Sequence, residues 1–350
     1  MKDGQKFCAV VKADCYGLGA QRICPEIDGL VDYFAVSSED EFMEINNIVT
    51  KPILLLDPIY ENITKLSKLN CEFCISNMTQ FKLFYCLAKK DKNVNLRLHL
   101  AINTGMNRFG FCKVEEICEI INLIKKAQNI SIIGIFSHFY TGNNGKFVKN
   151  QVRLFNKIKN YILNNMKINN IVFHISNTDG FENCKDFDMV RIGIGMYLFN
   201  NNDCFSMESK IVEIRMIKKG ENVGYGNVFF APKNMQIAVV LIGYADGILR
   251  KISGRGFVLV NGNFCKVLAV CMDSIIIDVS HVRVYLNDDV VLIGRSDDKQ
   301  IFCCDFAEWC GTISYEIMTR ISSRVKRIYL GGKANANYNW KVSSKKTSSG

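Results

Sequence analysis

Short apolar runs alternate with amphipathic stretches along the first part of the chain. Val-, Ile- and Leu-rich segments at 33–36, 52–56, 71–75, 96–102, 132–136 and 171–175 are bounded by polar turns and read as buried strands. Between them, helical spacing of apolar residues predicts helices over 39–48, 81–90, 114–127 and 152–164, the first opened by a Ser38–Glu41 capping box. Strands separated by helices of this length predict parallel βαβ units. Near Phe205 the helical period disappears. Segments at 211–217, 237–242, 257–260, 266–270, 275–279 and 290–293 follow, divided by turn signals such as Asn261-Gly262 and Asn287-Asp288, with one short helix over 313–321. The fold class expected is α/β: an N-terminal (β/α)8 TIM-type barrel over 1–205, a mostly β C-terminal domain over 206–335 and a disordered tail over 336–350.

Composition narrows this picture without changing it. With 48% hydrophobic and 22% charged residues, the 350-residue chain is of the ordered globular kind. No apolar run approaches the ~20 residues of a membrane helix. Met1 to Lys6 leads straight into the first strand, so no secretory leader is expected. The 15 cysteines lie scattered in predicted core segments, which suits free thiols in a reducing cytoplasm. Cys71-Glu72-Phe73-Cys74 has no second pair at zinc spacing, so no metal site is expected. The net charge of +10 is spread out and dense only at Lys341–Lys346, which predicts a solvated surface, not a nucleic-acid partner.

The candidate chemistry starts at Cys8-Ala9-Val10-Val11-Lys12-Ala13-Asp14-Cys15-Tyr16-Gly17. An apolar strand ending on Lys12 places an amine at the strand's carboxyl end. A partly desolvated lysine loses its proton more readily and, uncharged, attacks an aldehyde to form a Schiff base. Polar clusters follow the later strands: Asn103 to Gly110 with Arg108, Ser137-His138-Phe139, His174 to Thr178, and Arg191 to Gly195. An arginine pins a carboxylate or phenolate with paired donors, and hydroxyls and backbone amides at strand ends suit a phosphate. Singly, each cluster reads as an ordinary loop. Together, in successive strand-end loops of one barrel, they read as one site.

These blocks resemble the alanine racemases. Ala9 to Gly17 is similar to the family's lysine motif that carries pyridoxal 5'-phosphate (PLP), with Cys15 in place of an alanine. Thr104 to Gly110 is similar to its TGMNR segment, and Ser137–Phe139, His174–Thr178 and Arg191–Ile194 to three further blocks. In the β domain, Val223-Gly224-Tyr225-Gly226, Ile242 to Gly247, Val270 to Asp273 and Thr312 to Ile317 continue the pattern, so the resemblance spans nearly the whole chain. It implies that Lys12 carries PLP covalently and is one acid/base, and that Tyr225 is the second base on the opposite face of the substrate α-carbon. It implies that Tyr16, Ser176, Asn177, Thr178, Gly193, Ile194 and Tyr315 surround the phosphate. By the same resemblance Arg191 faces the pyridine nitrogen, held by His138, and Arg108 contacts the cofactor phenolate and the substrate carboxylate. Met272 then donates its backbone amide to that carboxylate, and Tyr244 and Asp273 line the entrance. An arginine at the ring nitrogen leaves the ring unprotonated, which disfavours side reactions such as transamination. A free phenol titrates near ~10, so a phenol acting as base near neutrality requires a cationic or hydrogen-bonded setting. The implied protein is a cytoplasmic head-to-tail homodimer that supplies D-alanine for peptidoglycan, with no nucleic-acid or membrane partner.

The chain departs from the family pattern in three places. Ala101 stands where the family carries a lysine, often carbamylated, so no carbamate is expected and Arg108 is expected to be oriented by Asn103 or by an anion such as chloride. Ile192 follows Arg191 where proline is usual. The family's usual strand and helix before the lysine strand are not seen ahead of Lys6, a departure expected to weaken packing. The alternatives are a broader racemase acting on serine and a PLP-binding regulator without turnover. The β domain with Tyr225 argues against the regulator, and Arg191 argues against the related decarboxylases, which place a carboxylate at the ring nitrogen.

Overall fold

The computed structural model describes residues 4–142, 144–166, 170–184, 186–199, 202–330 and 340–343. It divides into two compact units, Met1–Cys15 with Ala20–Met196, and Tyr16–Gly19 with Tyr197–Gly350.

In the first unit the strands β1 (Lys6–Val10), β2 (Tyr33–Val36), β3 (Ile53–Leu55), β4 (Cys71–Ile75), β5 (Leu96–Ala101), β6 (Ile130–Phe136), β7 (Val172–His174) and β8 (Met189–Ile192) close into a parallel barrel in chain order. Closure runs through β1, whose Cys8 is opposite Tyr33 on one side and Arg191 on the other. The strands are buried almost end to end, the pattern of parallel strands covered on both faces. The helices between them are α2 (Ala20–Ile27), α3 (Glu39–Ile45), α4 (Ile63–Leu66), α5 (Met78–Lys90), α6 (Val114–Ile124) and α7 (Gly145–Met166). The Ser38–Glu41 capping box is formed, and Asn77 caps α5. Alternation decides which way each strand residue points. Phe73 of β4 faces outward onto Phe84 of α5, and Cys74 faces inward with Ala101 and Phe136.

Between β1 and α2 lies α1 (Lys12–Gly17), so the strand stops at Val10 and Lys12 opens a turn, where the sequence suggested a strand ending on the lysine. Ala13, Asp14, Cys15 and Tyr16 all have φ between 51° and 57°, and Gly17 has φ 86°, so this is a left-handed turn. Each non-glycine residue held that way costs of order 1–2 kcal/mol, so the segment persists only because its surroundings hold it. Gly17 is obligatory for a second reason: a Cβ there would lie 2.4 Å from the carbonyl oxygen of Met318.

The second unit contains the short strands β9 (Leu198–Phe199) and β10 (Asn202–Asp203), then β11 (Phe205–Ile217), β12 (Asn222–Val223), β13 (Phe229–Phe230), β14 (Met235–Val240), β15 (Phe257–Val260), β16 (Asn263–Val270), β17 (Ile275–Asp278), β18 (Asp289–Ser296) and β19 (Lys299–Ile301). The helices α8 (Cys303–Cys310) and α9 (Ser314–Thr319) follow, then β20 (Lys326–Tyr329) and β21 (Trp340–Ser343). The order β18-β15-β16-β17-β14-β11, with β11 also pairing β18, turns the sheet back on itself and leaves β19 and β20 as its outer strands. Two expectations are corrected here. α8 is a helix where none was predicted, because cysteines and aromatics mask its period. Residues 340–343, assigned to the tail, pair as β21 between β11 and β20, since an open strand edge there accepts backbone partners. The other tail residues, 336–339 and 344–350, lie outside the described residues.

All 15 cysteines are free. Burial pushes the thiols of Cys8, Cys204, Cys265 and Cys303 up to about 12. A thiol reagent at neutral pH is therefore expected to label the exposed Cys86, Cys112 and Cys304 in the native protein and the buried set only after unfolding, as counted by mass spectrometry. Among the described residues no helix is long and apolar enough to cross a membrane.

Candidate active site

The barrel gathers its polar side chains at the carboxyl ends of its strands. Lys12 lies two residues past the end of β1 and is half-buried. The turn that carries it is pinned at several points. The Cys15 amide donates to Val11 O at 2.9 Å, the Ala20 amide to Asp14 Oδ1 at 2.6 Å, and the Ala13 amide to Glu41 Oε1 at 2.8 Å. The other Glu41 oxygen accepts from Ser37 N at 2.7 Å, so the cap of α3 also fixes the residue after the lysine. In the second unit, Arg327 donates twice to Gly17 O and the Tyr329 hydroxyl donates to Leu18 O. Glu41→Ala should cost about 1–2 kcal/mol, read as a lowered urea midpoint, because it strips a helix cap and an amide acceptor together.

Arg191 lies within β8 rather than after it, 2% exposed, with its guanidinium inside the barrel. It donates to His174 Nδ1 at 2.6 Å and to Ser137 O at 2.8 Å, and lies 3.3 Å from His138 Nδ1. His138 is thus beside it as expected, and His174 is a second, tighter partner, because its ring projects inward from β7 beside β8. Burial lowers Arg191 to about 10, which keeps it protonated at neutral pH. No described residue accepts a hydrogen bond from its Nε, so that donor remains for a ligand. His138 is placed at the centre of the site's positive charge. Burial first, then Arg191, Arg108 and Lys12, lower it to about 3, so the ring is neutral. Its Nε2 lies 3.3 Å from Asn177 Nδ2, and a neutral ring accepts at one nitrogen only, so the Arg191 and Asn177 contacts cannot both be hydrogen bonds.

Asn177 also ties the loops after β6 and β7, donating to Phe139 O and accepting from Gly180 N. The Thr178 hydroxyl accepts from the amides of Gly193 and Gly195 at 3.1 and 3.4 Å, which joins the loops after β7 and β8. Ile194 is buried beside them. The Ser176 hydroxyl donates to Cys184 O at 2.6 Å. Gln151 of α7, missed in the sequence, donates to both Thr104 Oγ1 and His138 O and positions the β5 and β6 loops together.

Arg108 is exposed in the loop after β5, its guanidinium 4.7 Å over the Phe109 ring. Asn103 does not hold it, which corrects that expectation: Asn103 accepts from the amides of Gly105 and Asn107 and donates to Asn107 Oδ1, so it shapes the turn beneath the arginine. Ala101 is buried against Cys74, Phe136 and Phe109.

In the second unit, Tyr16 packs its ring against Tyr197 and Tyr315. Tyr225 sits at the tip between β12 and β13, 74% exposed and flanked by Gly224 and Gly226, both with positive φ. Gly224 abuts Ala269 near the end of β16. Just past that end, Cys271 and Met272 accept from the amides of Tyr244 and Ala245, and Asp273 accepts from Arg324 at 2.6 Å. Tyr225, Tyr244, Met272 and Asp273 therefore share one end of the sheet.

The alanine racemase N-terminal domain matches residues 1–201 and the alanine racemase C-terminal domain residues 204–329. The chain belongs to the alanine racemase family. It is 33% identical over 336 residues to the alanine racemase of Thermodesulfovibrio yellowstonii, a match covering 93% of this chain and 90% of that protein. Among solved structures, the Bacillus anthracis alanine racemase with bound L-Ala-P aligns with a TM-score of 0.83 at 26% identity, covering 93% of this chain and 88% of that one. The Bartonella henselae alanine racemase with covalently bound pyridoxal phosphate aligns at 0.81 and 25%, covering 93% of each. The family's activity, racemisation of alanine, is an isomerase reaction and is the activity of this chain.

His138 and His174 carry a consequence for stability. Both are held below the ordinary histidine value by burial, then by Arg191. The unfolded chain binds protons at these rings below about 6.5, and the folded chain does not. Their stabilising contribution is complete above about 6.5 and is lost as pH falls toward the folded value, about 3 for His138. The urea midpoint should fall between pH 7 and pH 5, and His138→Gln should reduce that fall.

Proposed function

We propose that the chain racemises alanine with PLP attached at Lys12, using Lys12 and Tyr225 as proton carriers on opposite faces of the substrate α-carbon. The observation that carries this reading is the convergence, at the carboxyl ends of one set of barrel strands, of a pinned lysine, a neutral histidine and two arginines. The residues fit the group. Arg191 keeps its Nε donor, and a protonated arginine donates without giving up its proton. The Thr178 and Gly193–Gly195 loops bring a hydroxyl and backbone amides together, as a phosphate requires. Bound PLP withdraws electrons from the α-carbon so that its proton can leave. Lys12 takes or returns that proton on one face and Tyr225 on the other. Arg108 and the Met272 amide orient the carboxylate, and Tyr16, Ser176, Asn177, Ile194 and Tyr315 contribute to the phosphate end. Tyr244 and Asp273 shape the entrance.

We further infer a head-to-tail homodimer and a cytoplasmic role in making D-alanine for peptidoglycan. The exposed phenol of Tyr225 on its loop tip supports the dimer. The test is direct. Protein reconstituted with PLP should convert L-alanine to D-alanine faster than it converts serine. Borohydride should leave a reduced adduct on Lys12 in the peptide mass map. An adduct without turnover would mark a regulator instead, and preference for serine would mark the broader racemase.

A further inference from the structure

A row of buried ionisable side chains runs through the barrel behind Arg191, and the proposed chemistry does not use it. Arg191 meets His174 Nδ1 at 2.6 Å, His174 Nε2 meets His99 Nδ1 at 3.0 Å, and His99 Nε2 meets Glu72 Oε2 at 2.5 Å. Glu72, His99 and His174 are fully buried. The other Glu72 oxygen pairs with Arg97, which is 38% exposed near the start of β5. The row therefore reaches from the amino end of the barrel to the arginine at its carboxyl end. Space for it is built into the backbone: a Cβ on Gly134 of β6 would lie 2.1 Å from His99 Nδ1. Phe136 stacks on His174, with ring centroids 5.1 Å apart and planes 11° apart.

The two ends dictate the protons between them. Arginine has only donors, so His174 Nδ1 must accept. His174 is held well below the ordinary histidine value by burial and by Arg191, so it is neutral and its single proton sits on Nε2. That proton is donated to His99 Nδ1, which leaves the His99 proton on Nε2, facing a carboxylate that can only accept. Every donor in the row points from Arg191 toward Glu72. A buried carboxylate at the far end also offsets the charge of a buried guanidinium, and neither would be tolerated alone.

We propose that Glu72 is a positioning residue for Arg191: acting through His99 and His174, it sets the direction of the hydrogen-bond row and so the orientation of the guanidinium toward its ligand. The proposal rests on the reading that Arg191 faces the cofactor ring. Its first test does not. With only four histidines in the chain, 15N NMR of the full-length protein without cofactor resolves each ring. His99 and His174 should both carry the proton on Nε2 with Nδ1 bare. A proton on Nδ1 of either ring overturns the proposal, even if no variant folds.

The second test uses Glu72→Gln and Glu72→Asp. A carboxamide has one acceptor oxygen where the site needs two, for Arg97 and for His99. Turned with its amide toward His99, it reverses both rings and sets His174 Nδ1–H against Arg191. Glu72→Gln should change the His174 nitrogen shifts and lower kcat about tenfold or more at little-changed KM for alanine. Glu72→Asp keeps the charge and should keep the wild-type proton pattern and most of kcat. Unchanged His174 shifts and unchanged kcat in Glu72→Gln overturn the proposal, as does loss of thermal stability alone with the row's direction retained. If wild type neither binds PLP nor racemises alanine, the functional reading fails while the NMR result still reports on the row.

Discussion

Lys12→Ala should abolish racemisation and covalent cofactor attachment together, with a fall in kcat of at least about 10⁴-fold. The size follows from two jobs on one amine. In the proposed reaction the lysine anchors the cofactor by a covalent bond and carries a proton on one face of the substrate, and a methyl group would do neither. The fold should survive. The side chain is only half-buried, and the turn is held by backbone bonds to Val11 and by Asp14 and Glu41, none of which involves the amine. The measurement is racemisation by polarimetry, with the mass of the borohydride-treated chain and the urea midpoint recorded on the same sample. Activity near wild type would remove Lys12 from the chemistry. Loss of activity with an unchanged adduct would place the attachment elsewhere. Lys12→Arg should behave like Lys12→Ala, because a guanidinium stays protonated and does not attack an aldehyde.

Much of this architecture is legible along the chain because parallel barrel strands are continuous apolar runs. Tyr33–Val36 and Cys71–Ile75 have the bounds their sequences suggest. The Ser38–Glu41 cap is legible because its signal is four residues long. What escaped is what depends on register or on an unusual backbone. Glu72 lies in a run that draws the eye to its two cysteines, and His99 looks like an isolated polar residue in Leu-Arg-Leu-His-Leu-Ala. Only the pairing of β4 with β5 and of β5 with β6 brings Glu72, Arg97 and His99 to one interior layer. Period-2 alternation puts Arg97 and His99 on the same face of β5, which was the available signal. The left-handed turn after Lys12 was not legible, since Ala13, Cys15 and Tyr16 carry no preference for positive φ, Asp14 alone tolerates it, and the segment is held there largely by neighbours distant in sequence. The same holds for Gln151, whose role depends on where α7 lies beside the β5 and β6 loops.

Tyr225→Phe should lower racemisation by about 10²–10⁴-fold while sparing the fold and the Lys12 adduct, because it deletes one oxygen from an exposed loop tip. A catalyst with two proton carriers predicts more than a slow enzyme. With the phenol gone, one face of the α-carbon keeps its base, so exchange of the α-hydrogen with solvent deuterium should persist for one enantiomer and fail for the other. Equal loss of exchange for both enantiomers would mean that the phenol orients the substrate and does not carry a proton. The head-to-tail arrangement is tested by mixing. Lys12→Ala and Tyr225→Phe proteins are each inactive, but a mixed dimer whose sites combine residue 12 of one copy with residue 225 of the other has one intact site. Random reassociation makes half the dimers mixed, each with one of its two sites working, so activity should return to about one quarter of wild type. If both residues acted within a single chain, every site would keep one lesion and nothing would return.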